Sequence, residues 1–204
     1  IFYNHPNGNN MIDLHVPFDG YIETPNILAQ DNSGYTLNIA VDINKDGYKD
    51  AILGIPMNSQ VEIYHGKEYG FIDAQSKLII KGVYSYDYTG WSVSNAGDVN
   101  GDGIDDIIIG TLYAFTADGQ PQAGQSYVVF GKTTGFPASV DLFSLDGTTG
   151  FNVNGVTNDN LSNTVVSAAG DVNGDGIDDV IIGASNASPN GLSQAGQSYV
   201  VFGK

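Results

Sequence analysis

Residues 96–110 read Ala-Gly-Asp-Val-Asn-Gly-Asp-Gly-Ile-Asp-Asp-Ile-Ile-Ile-Gly, and residues 169–183 repeat them with one change, Val180 for Ile107. Twice, an acidic, glycine-punctuated loop runs straight into a short apolar stretch. Residues 123–132 (AGQSYVVFGK) recur unchanged at 195–204, so the period is 72 to 73 residues. A diverged third copy at 40–54 (AVDINKDGYKDAILG) keeps Asp42, Asn44, Asp46, Gly47 and Asp50. Self-similarity at a fixed period of this length marks a repeat architecture, in which each unit buries its apolar surface against the next.

Within one period the pattern predicts four short strands. In the middle copy these are Trp91 to Ala96, Ile107 to Ile109, Tyr127 to Phe130, and roughly Val140 to Leu145, with an Asp146-Gly147 turn after the last. Asp-Gly is a turn signal because glycine reaches positive φ at no steric cost. The Ile-Ile-Ile and Tyr-Val-Val-Phe runs do not alternate, which suits strands covered on both faces. Helical periodicity is missing. The expected class is all-β: a β-propeller segment with blades of four antiparallel strands. A β-solenoid is the rival, with shorter repeats and fewer strands.

The blades fall at about 33–88, 89–160 and 161–204 of one segment, 1–204. Residues 12–42 resemble 140–171, so residues 1–32 are expected to supply a fourth-strand equivalent to a last blade that stops after its third strand. Rings typically have 4–8 blades, and three is too few. Either this is a piece of a longer propeller, or two chains form a homodimer that completes one ring. The chain opens at Ile1 rather than Met, which reads as a mature or excised segment.

Each acidic loop has the form Asp-x-Asn-x-Asp-Gly-x-x-Asp. The three sets are Asp42, Asn44, Asp46, Asp50; Asp98, Asn100, Asp102, Asp106; and Asp171, Asn173, Asp175, Asp179. Calcium is a hard cation that takes 6–8 oxygens at about 2.3–2.6 Å. Short Asp and Asn side chains at alternate positions can address one centre while the backbone wraps around it. Glycine at position six permits the reversal, and the carbonyl of Tyr48, Ile104 or Ile177 at position seven completes the set. The expectation is about three Ca2+ ions. An EF-hand loop shares this opening but needs an acid at position twelve, where this chain has Leu53, Ile109 and Ile182. Magnesium prefers a smaller octahedron and keeps several waters. The plain alternative is an Asp/Asn/Gly turn with no ion. The first loop is the weakest, since Lys45 and Lys49 bring positive charge beside it.

Composition narrows the function. The net charge is −16, with seven lysines and no arginine. Nothing is available to neutralise phosphates, so nucleic acid and anionic membrane surfaces are excluded as partners. Eleven of the 23 acids fall inside the three nine-residue loops, and clustering on that scale calls for a counter-ion. Without cysteine there is no disulfide framework, Cys nucleophile or Cys-ligated zinc. No apolar run reaches the roughly 18 residues of a membrane helix, so no membrane insertion is expected. His5, His15 and His65 fall in no metal or nucleophile motif. No Gly-x-Ser-x-Gly, phosphate loop or His-Glu-x-x-His occurs, and Glu23, Glu62 and Glu68 show no pairing, so no catalytic residue is assigned and no enzyme is expected. Tyr127 and Tyr199, at matching repeat positions, are expected in the core. The loops Leu112 to Gln122 and Ser185 to Gln194 vary between copies and are the expected places for a partner.

The stretch Val93-Ser94-Asn95-Ala96-Gly97-Asp98-Val99-Asn100-Gly101-Asp102-Gly103, with Ile107 to Gly110 following, resembles the FG-GAP repeats of integrin α-subunit propellers and their bacterial relatives. The resemblance covers nearly the whole chain, and its near-identical copies are more like the bacterial members. It implies that the calcium loop joins the first and second strands of each blade on the lower face of the ring, with partners on the opposite face or a rim. There are departures. The Phe-Gly of the family is Thr89-Gly90 in the second repeat and Ser162-Asn163 in the third. The family's Gly-Ala-Pro becomes Gly54-Ile55-Pro56, Gly110-Thr111-Leu112 and Gly183-Ala184-Ser185. An integrin-like partner is therefore not carried over. The expectation is an extracellular or cell-surface, calcium-stabilised module that binds a protein or glycan ligand. The alternative is the non-catalytic propeller portion of a secreted hydrolase or lyase. Extracellular calcium fills even sites of about 10⁻⁴–10⁻³ M affinity, which suits that location.

Overall fold

The computed structural model describes residues 35–68, 70–71, 77–113, 124–155 and 164–204. The proposed strand in residues 1–32, His5, His15, Glu23 and most of the loop up to Gln122 lie outside them. The fold is all-β, and its only helical pieces among the described residues are three single 3₁₀ turns.

The first sheet contains β1 (Thr36–Val41), β2 (Asp50–Ile55) and β3 (Gln60–Tyr64), followed by a small ribbon of β4 (Gly66–Lys67) and β5 (Gly70–Phe71), then β6 (Leu78–Lys81). The second is built from β7 (Ser92–Gly97), β8 (Asp106–Gly110) and β9 (Gln125–Val129). Next come β10 (Ser139–Asp141) and β11 (Gly150–Asn154). The third sheet is β12 (Thr164–Gly170), β13 (Asp179–Ala184) and β14 (Gln197–Val201). In each sheet the first three strands form an antiparallel meander. The described residues do not close a ring.

One expected strand needs correction. The fourth strand of the second sheet is β11, paired with β9 from Gly150↔Val129 to Asn154↔Gln125, and not Val140 to Leu145. The earlier segment gives β10, which joins the first sheet by parallel pairing with β6. It then makes a 3₁₀ turn that buries Leu142 in the core between the first two sheets. The Asp146-Gly147 turn forms, but it precedes the fourth strand. Asp146 Oδ1 accepts from the amides and hydroxyls of Thr148 and Thr149, which holds its carboxyl down near 2.

Two cores separate the three sheets. Val41, Ile43, Ile52, Val61 and Ile63 of the first pack against Val93, Ile107, Ile109, Tyr127 and Val129 of the second. On the other face, Ile108 and Val128 meet Val166, Val180 and Ile182 of the third. The non-alternating Ile107-Ile108-Ile109 run is thus divided between two interfaces, as strands covered on both faces require. Tyr127 is buried as expected, its hydroxyl donating to Gln125 Oε1 at 2.6 Å. Tyr199 packs, partly buried, on Ala184 and Ala187.

Candidate metal centre

Each acidic loop connects the first and second strands of a sheet and begins at a register irregularity in the pair: Asn38/Val41, Asn95/Gly97 and Ala168/Gly170. Such bulges re-aim the chain at a strand end. The glycine at position six sits at φ +90°, +79° and +90° in Gly47, Gly103 and Gly176, where an L side chain is strained.

The three loops share one hydrogen-bond pattern. In the second, the Asp102 amide donates to Asp98 Oδ1 and Asn100 Oδ1, both at 3.0 Å. The Gly103 amide donates to Asp98 Oδ2 at 2.7 Å, and the Ile104 amide to Asp102 Oδ1 at 2.9 Å. The first loop repeats this with Asp46, Gly47 and Tyr48 as donors, and the third with Asp175, Gly176 and Ile177. Positions one, three and five therefore turn their oxygens toward the loop they begin.

Position nine has a second task that the sequence did not reveal. Asp50, Asp106 and Asp179 are buried, and each accepts two backbone amides. One comes from position two of its own loop: Ile43 at 3.1 Å, Val99 at 3.0 Å and Val172 at 2.8 Å. The other comes from the glycine after the third strand: Gly66 at 2.7 Å, Gly131 at 2.8 Å and Gly203 at 3.0 Å. A single carboxylate thus ties the loop to the base of its own sheet. Burial pushes the Asp106 carboxyl up to about 7; the Gly131 and Val99 amides oppose this, while Asp102 and Asp98 add to it.

Position eight faces the neighbouring sheet. Asp105 Oδ2 accepts from the Asp42 amide at 3.0 Å, and Asp178 Oδ2 accepts from the Asp98 amide at 2.9 Å. Lys49 does not sit over its own loop: its Nζ donates to Asp105 Oδ2 of the next one at 2.8 Å. Lys45, at position four, adopts φ +55° where the other loops have Gly101 and Gly174. His65 stands where the other repeats have Phe130 and Phe202. Its Nδ1 is 3.5 Å from Asp50 Oδ1 and from Asn44 Nδ2. The bond to Asp50 raises its pKa, and burial opposes the rise. Aligning Gly66-Lys67 with Gly131-Lys132 would have brought this histidine to the loop from sequence.

Side-chain donors at positions one, three, five and nine are all oxygens, and position seven adds a carbonyl, a donor set that fits a hard divalent cation. Among the described residues, no three Asp, Glu, His or Cys side chains gather into a ready-made metal cluster. The loop carboxylates are instead engaged with the amides around them.

Residues 89–129 and 163–201, which carry the second and third loops with their flanking strands, match the family model described as FG-GAP repeat. The chain carries FG-GAP repeats. FG-GAP is a β-propeller repeat, and three sheets packed face to face through shared cores are the matching architecture. The chain is 33% identical to integrin alpha pat-2 of Caenorhabditis elegans over 173 residues, 79% of this chain and 13% of that protein. It is 34% identical to integrin alpha-2 of Bos taurus over 100 residues, 45% of this chain and 8% of that one. It is also 31% identical to phosphatidylinositol-glycan-specific phospholipase D of Bos taurus over 121 residues, 58% of this chain and 14% of that enzyme. The chain thus spans a small part of each of these relatives. No helix among the described residues is long and apolar enough to cross a membrane.

Proposed function

We propose that this chain is a calcium-stabilised, extracellular β-propeller module that binds a protein or glycan ligand and is not itself catalytic. We take 33–88, 89–160 and 161–204 as its blades. The observation that carries the reading is the threefold recurrence of one oxygen-donor loop, held in one hydrogen-bond pattern at one place in each sheet. Calcium would be held by Asp42, Asn44, Asp46, Asp50 and the Tyr48 carbonyl, and by Asp98, Asn100, Asp102, Asp106 and the Ile104 carbonyl. The third set is Asp171, Asn173, Asp175, Asp179 and the Ile177 carbonyl. Bound there, the ion supplies positive charge to acids that otherwise repel one another. The similarity to integrin alpha chains supports a ligand-binding, cell-surface role.

Thermal unfolding with calcium, with magnesium and with chelator tests this. A ligand that binds only the folded state raises its midpoint by mass action. We expect a clear calcium-specific rise, reduced in Asp98→Asn and Asp171→Asn. An unchanged midpoint in chelator overturns the metal assignment. Binding to a glycan array in calcium marks a lectin, and calcium-dependent capture of a protein marks adhesion. A second reading, a propeller portion beside a catalytic domain, is favoured by the similarity to the phospholipase D. A catalytic domain in the same gene product would decide for it.

A further inference from the structure

Of the three acidic loops, the first alone carries lysines. Where it has Lys45 and Lys49, the others have Gly101 and Asp105, and Gly174 and Asp178. The structure delivers this charge to a different loop. The first and second loops meet at a joint where the Asp42 amide donates to Asp105 Oδ2 at 3.0 Å and the Lys132 amide to the Ile43 carbonyl at 2.9 Å. Both ammonium groups cross it. Lys49 Nζ donates to Asp105 Oδ2 at 2.8 Å. Lys45 Nζ lies against Gly103, 3.2 Å from where a Cβ on that glycine would stand. The same space at Gly47 and Gly176 is open, with nothing within 4 Å among the described residues.

The second loop is also where acids are most crowded. It holds Asp98, Asp102, Asp105 and Asp106, and Asp178 of the third loop brings a fifth carboxylate by accepting from the Asp98 amide at 2.9 Å. Gly103 sits in the middle of this group: its amide donates to Asp98 Oδ2 at 2.7 Å, and the following amide, of Ile104, donates to Asp102 Oδ1 at 2.9 Å. An ammonium against Gly103 therefore stands beside the segment that both carboxylates hold. Lys45 keeps this place at φ +55°, which its own backbone disfavours, so its side chain is the part to ask about.

We propose that Lys45 and Lys49 are tethered counter-cations of the second loop, lowering its calcium affinity while leaving that of the third loop unchanged. This role presupposes the calcium reading above and adds the control of one loop by side chains of its neighbour. A fixed ammonium a few ångströms away repels an incoming divalent ion and offsets the acids of the empty loop, and both effects oppose binding. Both side chains are exposed, so salt weakens the effect: the screening length falls from about 10 Å at 0.1 M to about 3 Å at 1 M.

The test titrates calcium into the chelator-stripped, 15N-glycine-labelled full chain and follows the amides of Gly47, Gly103 and Gly176 by NMR, one reporter for each loop. Wild type is compared with the neutral pair Lys45→Asn and Lys49→Gln, asparagine being tolerant of the left-handed backbone, and with the charge-keeping pair Lys45→Arg and Lys49→Arg. At about 20 mM salt the Gly103 midpoint should fall at least roughly threefold in the neutral pair and hold in the arginine pair, with Gly176 unmoved in both. In about 1 M potassium chloride the gap at Gly103 should close. An unmoved Gly103 midpoint overturns this role, as does an equal shift at Gly176. A response at Gly47 without one at Gly103 also overturns it, because the lysines would then act on their own loop. Each of these results leaves calcium binding in place. Silence of all three glycines on adding calcium removes the calcium reading itself, and this role with it.

Discussion

Gly131→Ala is the sharpest test of how the sheets are joined. A Cβ at this position would lie 2.4 Å from the Asp105 carbonyl oxygen, 2.6 Å from Ile104 Cγ2 and 2.9 Å from the Ile43 carbonyl oxygen. Two of these contacts are backbone atoms, one in its own sheet and one in the neighbour, so no side-chain rotation relieves them. Overpacking of this kind costs roughly 1–3 kcal/mol. Relief requires the sheets to part, which strains the Lys132–Ile43 bond and the charge-assisted Gly131–Asp106 bond, worth roughly 1 and 1.5–3 kcal/mol. Because these terms overlap, the expected total is about 4 kcal/mol, and at about 2–4 °C per kcal/mol the midpoint falls by about 8–16 °C. Gly147→Ala is the control: nothing lies within 4 Å of its added Cβ, but φ is +85°, so only backbone strain of about 1–2 kcal/mol applies. Both variants are compared by urea and thermal unfolding in saturating calcium. If they lie within 1 kcal/mol of each other, close packing at Gly131 is not what joins the sheets.

Three further outcomes follow from the geometry. Lys45→Gly should stabilise by about 0.5–1 kcal/mol, because the loop holds this lysine at φ +55°; a lower midpoint would show that its side chain matters more than its backbone. Asp106 carries a folded pKa of about 7 against 3.8 unfolded, so the fold disfavours its ionised form; the penalty is complete above about pH 7 and relieved toward pH 4. Calcium-free wild type should therefore gain stability relative to Asp106→Asn as pH falls from about 8 to about 5, and a constant difference in urea unfolding would refute this. Tyr64→Phe removes the 2.6 Å bond from the Tyr64 hydroxyl to buried Glu62, which also pairs with Lys77; the expected loss is roughly 1.5–3 kcal/mol, and a neutral variant would show that Lys77 and Gln60 suffice.

The parts of this fold that were legible in sequence are those written in local order. The Ile107-Ile108-Ile109 run, the Tyr127 position and the loop glycines follow from residue type and spacing. What escaped depends on partners far along the chain. Val140 to Leu145 and Gly150 to Asn154 flank the same Asp146-Gly147 turn, and either could be the fourth strand. The choice is made by the neighbouring sheet, which takes up Ser139–Asp141 along β6 and buries Leu142. Likewise Asp105 and Asp106 read as two acids in one loop. Adjacent side chains at a strand start point opposite ways, so one reaches Asp42 in the previous sheet and the other reaches Gly131 in its own. The separations, 63 and 25 residues, put both partners beyond any local pattern.

These assignments change the charge argument for calcium. The first loop holds three carboxylates and the other two hold four each, more than one divalent cation balances, but they are not equivalent. Position nine is buried and held by two amides, and position eight, where acidic, serves the neighbouring sheet. Positions one and five bring two negative charges to each loop, and position nine, also in the proposed ligand set, adds a third when ionised. Position two then joins the two halves of the design. The Val99 amide donates to Asp106 and closes its own loop, while the Val99 carbonyl accepts from Lys204 of the next sheet. A single peptide segment, Asp98-Val99, therefore supplies a proposed ion ligand, anchors the loop and carries the joint to the neighbouring sheet. If the proposed ion binds there, its loss would act on that joint through Asp98, and loop occupancy would be coupled to the packing of adjacent sheets.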